Sequence, residues 1–192
     1  KGGRKGATVD SRRPVAYGSP MAPPSRPIAT FDLTARCPLR CAHCYFFAAP
    51  PRVADLGDEA WVARLGRLRD RWGIRSAFWV GGEPLLRLGL LRAAMLLFDR
   101  NAVATSGAVP IPPDLDAGLL VSVDGLREEH EWLRGPDTFD RVLSNLRPIR
   151  KRSFALSTTI TSATMNGVDD LDAMVERTGA LGPQAEAART AP

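Results

Sequence analysis

The chain has three cysteines among its 192 residues, and all fall in one run, Cys37-Pro38-Leu39-Arg40-Cys41-Ala42-His43-Cys44-Tyr45. The spacing is C-x3-C-x2-C. Thiolates are soft ligands that bind iron–sulfur clusters, zinc and copper. Three of them on one short loop can converge on a single object only if the loop wraps it. An iron–sulfur cube suits such a loop, because each corner takes one cysteine sulfur. A [4Fe–4S] cluster that only transfers electrons takes four cysteines, and this sequence has no fourth. One iron would then stay open to a substrate or cofactor, by the logic that leaves a free position in catalytic zinc sites. Two plainer readings stand beside this one: a Cys3His zinc site built from Cys37, Cys41, His43 and Cys44, or inert thiols. Zinc sites mostly draw their ligands from two separated pairs, whereas every candidate here sits in one loop.

The flanking sequence has to hold that loop. Ile28 to Thr34 reads as a short apolar strand running straight into it. After the Pro50-Pro51 break, a helix is expected from about Asp58 to Trp72, with Trp61, Leu65, Leu68 and Trp72 at helical spacing and Gly73 as its stop. Ser76 to Val80 is a second strand, closed by Gly81-Gly82-Glu83-Pro84, and Leu85 to Phe98 is apolar on nearly every side, as in a well-covered helix. Ala102 to Thr105 and Leu119 to Val123 are the third and fourth strands, joined by a proline-rich connection. Phe139, Val142, Leu143 and Leu146 mark a helix, Phe154 to Ile160 a fifth strand, and Val168, Leu171, Met174 and Val175 a last helix.

Strands alternating with helices argue a parallel sheet with right-handed crossovers, buried on both faces. A barrel and an open doubly wound sheet fit that pattern equally. The unusual polar residues all fall at the C-terminal ends of strands, where such folds collect their chemistry. They are the cysteine loop, Gly81-Gly82-Glu83, Thr105-Ser106, Ser122 with Asp124, and Asn166.

The formal charge is +5, and residues 1–40 carry more than all of it, with eight Lys and Arg against Asp10 and Asp32. Residues 1–27 are rich in Gly, Pro, Ser and Arg and lack hydrophobic periodicity, so they read as a disordered basic arm rather than a nucleic-acid contact. Met21 is a candidate true start. Residues 28–178 make the core and 179–192 an unstructured tail. No apolar run reaches the roughly 18–20 residues of a membrane span, and cysteines confined to one motif point to a reducing, cytoplasmic compartment.

The cysteine loop resembles the cluster-binding signature of the radical S-adenosylmethionine (SAM) superfamily, in the form C-x3-C-x2-C with an aromatic residue, here His43, before the last cysteine. Gly81-Gly82-Glu83-Pro84 is similar to the family's Gly-Gly-Glu-Pro motif. Ser122-Val123-Asp124 is similar to the fourth-strand segment that contacts the SAM ribose in many members. The resemblance implies a [4Fe–4S] cluster on Cys37, Cys41 and Cys44 whose open iron chelates the amino and carboxylate groups of SAM. An electron from the cluster then cleaves SAM to a 5′-deoxyadenosyl radical that abstracts hydrogen from a substrate. It also implies that His43, Gly81, Gly82, Glu83, Pro84, Ser106, Ser122, Asp124 and Arg134 surround SAM, with the glycine carbonyls and Glu83 on its ammonium and Arg134 on its carboxylate.

Two departures stand out. Ser106 occupies a place where relatives often carry Asn, and Glu131 replaces the Asp of a His-Asp…Arg-Gly stretch otherwise matched by His130 and Arg134-Gly135. The implied fold is α/β, a partial (β/α)6 TIM-like barrel over about residues 28–175, truncated after about five βα units. The local wording leans towards members that modify peptides or mature cofactors, which implies a peptide or cofactor-precursor substrate and a reductant such as flavodoxin or ferredoxin. The competing expectation is a truncated, non-catalytic barrel fragment that binds a metal or a partner. With five strands, the chain is expected to be a fragment or to need a partner chain to complete its barrel, and its fifth strand to present an unpaired edge of β-formers.

Overall fold

The computed structural model describes residues 27–48, 55–161 and 171–178. Met21 and the rest of the arm as far as residue 26, the Pro50-Pro51 break, Asn166 and the tail lie outside the described residues. Five strands form one sheet: β1 (Ile28–Asp32), β2 (Ser76–Val80), β3 (Arg100–Thr105), β4 (Gly118–Ser122) and β5 (Ala155–Ser157). Every neighbouring pair is parallel, with Asp32 opposite Val80, Trp79 opposite Val103, Ala104 opposite Leu120 and Ser122 opposite Ser157.

The order β1-β2-β3-β4-β5 decides between the two architectures left open by the sequence. A doubly wound sheet reverses its strand order at a switch point, and this sheet has no reversal. With right-handed crossovers, strictly sequential strands send every connection over the same face, which is how a barrel is wound. The fold is therefore α/β, a partial TIM-like barrel of five strands.

Burial along the strands confirms the winding and corrects one expectation. Ala77, Trp79, Val103, Leu119 and Val121 are buried, while the alternating residues Phe78, Val80, Ala102, Ala104, Leu120 and Ser122 are only half-buried. One face packs on the helices and the other is an open inner wall, so these parallel strands are not buried on both sides. The packed face centres on three rings. Phe31 stacks on Trp79 at 5.2 Å, and Phe98 meets both at 5.5 and 5.6 Å. The Trp79 indole N–H, buried there, donates to Asn101 Oδ1 at 2.9 Å, which satisfies the one polar group of the ring.

Six helices are described. They are α1 (Tyr45–Ala48), α2 (Asp58–Trp72), α3 (Leu88–Met95), α4 (Arg127–Arg134), α5 (Thr138–Leu146) and α6 (Leu171–Thr178). Helix α2 has the expected bounds and ends at Gly73 in the left-handed region, φ 62°, where a Cβ would be strained. Its expected apolar stripe is only half used: Leu65 is buried, but Leu68 and Trp72 are 41% and 62% exposed. The single helix expected from Leu85 to Phe98 is broken. A 3-10 turn, Pro84–Arg87, precedes α3 because Arg87 is pulled inward to the carbonyls of Leu33 and Leu56 and to the Asp58 carboxylate. Helix α4 falls where the sequence shows no apolar periodicity, since Arg-Glu-Glu-His-Glu-Trp-Leu-Arg is mostly charged; its buried residues are His130, Leu133 and Arg134. Strand β5 is three residues long, much shorter than the expected Phe154–Ile160, so the exposed edge is correspondingly short.

Candidate functional site

The cysteine loop stands on a short backbone splice between the exits of β1 and β2. Gly82 N–H donates to Thr34 O and Glu83 N–H to Arg36 O, both at 2.8 Å. Such close approach needs glycine. A Cβ on Gly81, whose φ is 126°, would lie 2.6 Å from Thr34 O, and one on Gly82 would lie 2.2 Å from Arg36 O. The two glycines therefore fit the base of the cysteine loop, a job the sequence reading did not assign them. Asp55 caps the same turn, accepting from Thr34 Oγ1 at 2.5 Å and from the Ala35 N–H at 3.1 Å. These bonds hold its carboxyl below the usual range against the opposing effect of burial. Asp55, Thr34 and Arg87 carry no local sequence signal; their contacts span 20 residues or more.

Above this base the loop turns back on itself, with the Cys44 N–H on Cys41 O at 3.1 Å. Arg40 braces it: one guanidinium nitrogen reaches Cys37 O at 3.0 Å and Leu39 O at 2.9 Å, and the group lies 4.1 Å over the Phe47 ring. The Ala42 N–H donates to Leu133 O at 2.7 Å, which ties the loop to the last turn of α4.

Cys37, Cys41 and Cys44 are free, half-buried thiols lining one cavity of about 220 Å³. Burial pushes the Cys37 and Cys41 thiols up, and Arg134 offsets part of this at Cys41. Among the described residues, no three His, Cys, Asp or Glu side chains are arranged to hold one metal ion. A tetrahedral zinc needs all its sulfurs about 2.3 Å from a single point, whereas a cube accepts each thiolate at its own corner.

Of the other expected site residues, His43, Gly81, Gly82, Ser106, Ser122 and Arg134 line the same cavity. They come from the loop, from the exits of β2, β3 and β4, and from the end of α4. The His43 Nδ1 is buried without a partner among the described residues, and burial, with Arg134 nearby, lowers its pKa. Thr105, at the last position of β3, also lines the cavity.

Glu83, Pro84 and Asp124 are placed off the cavity. Glu83 is fully buried and turned towards β3, where its carboxylate accepts from the Thr105 hydroxyl at 2.9 and 3.0 Å, from the Ser106 N–H at 2.9 Å and from the Ser106 hydroxyl at 2.5 Å. It also accepts from the Leu85 N–H at 3.2 Å. The charge expected beside a ligand ammonium is instead a staple between the exits of β2 and β3. Pro84 opens the buried 3-10 turn. The resemblance implies that Asp124 surrounds SAM together with Ser122, but β4 ends at Ser122, and beyond it the two-residue alternation that would put both side chains on one face no longer applies. Asp124 is 1% exposed and takes Arg134 Nε at 2.5 Å and the Thr159 N–H at 2.8 Å.

The chain is similar to known proteins over most of its length. The chain is 27% identical over 166 residues to the pre-heme d1 synthase of Dinoroseobacter shibae, covering 79% of this chain and 39% of that protein. It is 30% identical over 146 residues to the PqqA peptide cyclase of Xanthomonas axonopodis pv. citri, covering 70% of this chain and 37% of that one. Among solved structures, anSMEcpe with bound AdoMet superposes with a TM-score of 0.65 at 21% identity, over 78% of this chain and 47% of that chain. The chain thus spans less than half the length of each of these relatives. Residues 32–177, which hold the cysteine loop, its glycine base and all five strand exits, match the family as one block, and the chain belongs to the radical SAM superfamily.

Proposed function

We propose that this chain holds a [4Fe–4S] cluster on Cys37, Cys41 and Cys44 and uses it to cleave S-adenosylmethionine. One observation carries the reading: three thiols of a single loop line the same cavity as the exits of β2, β3 and β4. The donor set fits the cluster, because three soft thiolates come from one short loop, whereas zinc sites mostly draw their ligands from two separated pairs. Bound there, the cluster supplies the electron for reductive cleavage.

The chain's own groups bind and orient. The three thiolates hold the cluster, and Arg40 fixes the loop carbonyls between them. Gly81 and Gly82 offer backbone carbonyls to an ammonium group. Ser122 offers a hydroxyl, whereas the Ser106 hydroxyl is engaged by Glu83, and Arg134 offers a planar fork to a carboxylate. Leu39 and Phe47 give the cavity apolar walls that reduce access of water.

The substrate we propose is a peptide or a cofactor precursor, the two classes named in the relatives above, presented to the open inner wall of the sheet. The reductant would be a small electron carrier such as flavodoxin or ferredoxin. No described helix is long and apolar enough to cross a membrane, and we place the protein in the cytoplasm.

The test is anaerobic reconstitution with iron and sulfide, followed by SAM and a reductant. Wild type should load four irons per chain on the family stoichiometry and release 5′-deoxyadenosine. Alanine at any one of the three cysteines should remove most of the iron–sulfur absorbance. Full iron and sulfide in a single cysteine variant, or one zinc and no iron in wild type, would overturn the reading. A loaded cluster with no 5′-deoxyadenosine would favour the alternative, a non-catalytic barrel fragment; the three-residue β5 at the end of the wall is the observation on that side.

A further inference from the structure

Asp124 lies two residues beyond the end of β4, where the family resemblance implied a contact with a ribose. Its surroundings point elsewhere. The side chain is wholly enclosed and both carboxylate oxygens are in use, Oδ2 by Arg134 Nε at 2.5 Å and Oδ1 by the Thr159 N–H at 2.8 Å. Asp124 does not line the cavity, whereas Arg134 does. A guanidinium carries five N–H donors in one plane. Asp124 takes the one on Nε, and the two terminal nitrogens make no hydrogen bond or ion pair among the described residues.

The helix behind Arg134 is pinned as well. Leu133 O accepts from Ala42 inside the cysteine loop at 2.7 Å, and the backbone N–H of Asp124 donates to His130 Nδ1 at 3.3 Å. The guanidinium is therefore fixed at its inner edge while its outer edge is left with unused donors.

We infer that Asp124 is a positioning residue: it clamps the Nε edge of Arg134 so that the terminal nitrogens meet a ligand carboxylate in the cavity, and it does not itself touch the ligand. The ligand is S-adenosylmethionine, so the inference rests on the function proposed above. The Asp124–Arg134 pair is formally neutral. What it gives a carboxylate is donor geometry rather than net charge, and a defect in Asp124 acts only on ligands that carry one.

Calorimetry on the anaerobically reconstituted chain would compare SAM with decarboxylated S-adenosylmethionine, with iron content and thermal unfolding measured alongside. Wild type should prefer SAM. Asp124→Asn and Arg134→Ala should each shrink that preference by roughly 10-fold or more and leave affinity for the decarboxylated ligand unchanged. The double variant should be no worse than Arg134→Ala alone. A ribose contact or a merely structural role would weaken both ligands in Asp124→Asn and add to the loss in Arg134→Ala, and either result overturns the inference. If Asp124→Asn fails to fold, Arg134→Lys carries the test, because it keeps the charge but cannot hold a clamp and a two-point fork together. It should lose the preference for SAM, and keeping the wild-type preference overturns the inference. Wild type that binds neither ligand overturns the SAM reading and this inference with it; wild type and Asp124→Asn sharing one preference overturn the inference alone.

Discussion

The two sides of the cavity are built differently. On the β1–β2 side the cysteine loop rests on backbone: two N–H···O bonds of 2.8 Å, with Arg36 O only 2.2 Å from where a Cβ on Gly82 would sit. On the β4–α4 side the wall is held by side chains, an enclosed Asp124–Arg134 pair and a His130 acceptor, beside a strand of three residues. Backbone contact leaves no slack, because interiors pack at crystal-like density and a misplaced methyl is felt. Side-chain contacts can be retuned by a charge or a proton without moving the chain. The first side suits a group that must be held in one place, and the second suits a ligand that must be oriented and released.

The largest expected effect comes from breaking the rigid side. Gly82→Ala puts a Cβ against the backbone of Arg36, and neither partner is a flexible side chain that could yield. We expect a loss of about 1–3 kcal/mol in stability together with poor iron loading, since the cysteine loop stands on the residue displaced. Chemical denaturation and iron content read both. A variant with wild-type iron and a wild-type midpoint would show that the splice is looser than its geometry. Because the contact is with the base of the cysteine loop, a side chain at Gly82 disturbs the cluster site as well as any SAM binding there.

A smaller effect is expected at the join between the two sides. Glu83→Gln replaces one carboxylate oxygen by an NH2 group, and each oxygen accepts from a backbone N–H that cannot reverse its role, Leu85 on Oε1 and Ser106 on Oε2. One of those donors loses its acceptor in a fully buried place, which costs about 1–3 kcal/mol. The denaturation midpoint should fall with iron loading largely kept, because Glu83 bonds to the cysteine-loop base through its backbone N–H alone. An unchanged midpoint would mean that the staple adds nothing.

What could be read from the sequence divides along the same line. The cysteines and the glycine pair were legible as the lining of one cavity, because particular residue types stand there at short spacing; the contact of the glycines with the loop base was not. Five strands were legible because each is a compact apolar run between turn residues. Their winding was not, since apolar runs do not tell which neighbour a strand takes; only the pairing of Asp32 with Val80 and of Ser122 with Ser157 fixed that. Asp55 and Arg87 were missed because their partners lie far along the chain. Helix α4 was missed because it buries a His and an Arg, residues that hydrophobic periodicity counts as solvent-facing. Trp72 erred in the other direction, apolar at a helical position yet 62% exposed.

The effect confined to acid, absent at neutral pH, isolates the retunable side through His130. Its ring is fully buried, and burial lowers its pKa from 6.5 to about 4, with Arg134 acting in the same direction and Asp124 against. Nδ1 accepts from the Asp124 N–H, so the ring is neutral in the folded chain with its proton on Nε2. The unfolded chain takes up a second proton near pH 6.5 and the folded chain only near pH 4. Between those values the unfolded state binds more protons, so stability rises with pH across that window. It is fully present above 6.5, falls as the pH drops towards 4, and loses on the order of 3 kcal/mol over the whole range. Other carboxyls titrate there too, so the readout is a difference. His130→Asn keeps an acceptor near the Nδ1 position and cannot be protonated, and it should shift stability by a constant while removing this slope. Denaturant midpoints from pH 7 to pH 4 should converge between wild type and variant as the pH falls. Parallel curves would show that His130 is protonated in the folded chain as readily as in the unfolded one, and that the Asp124 turn does not depend on its lone pair.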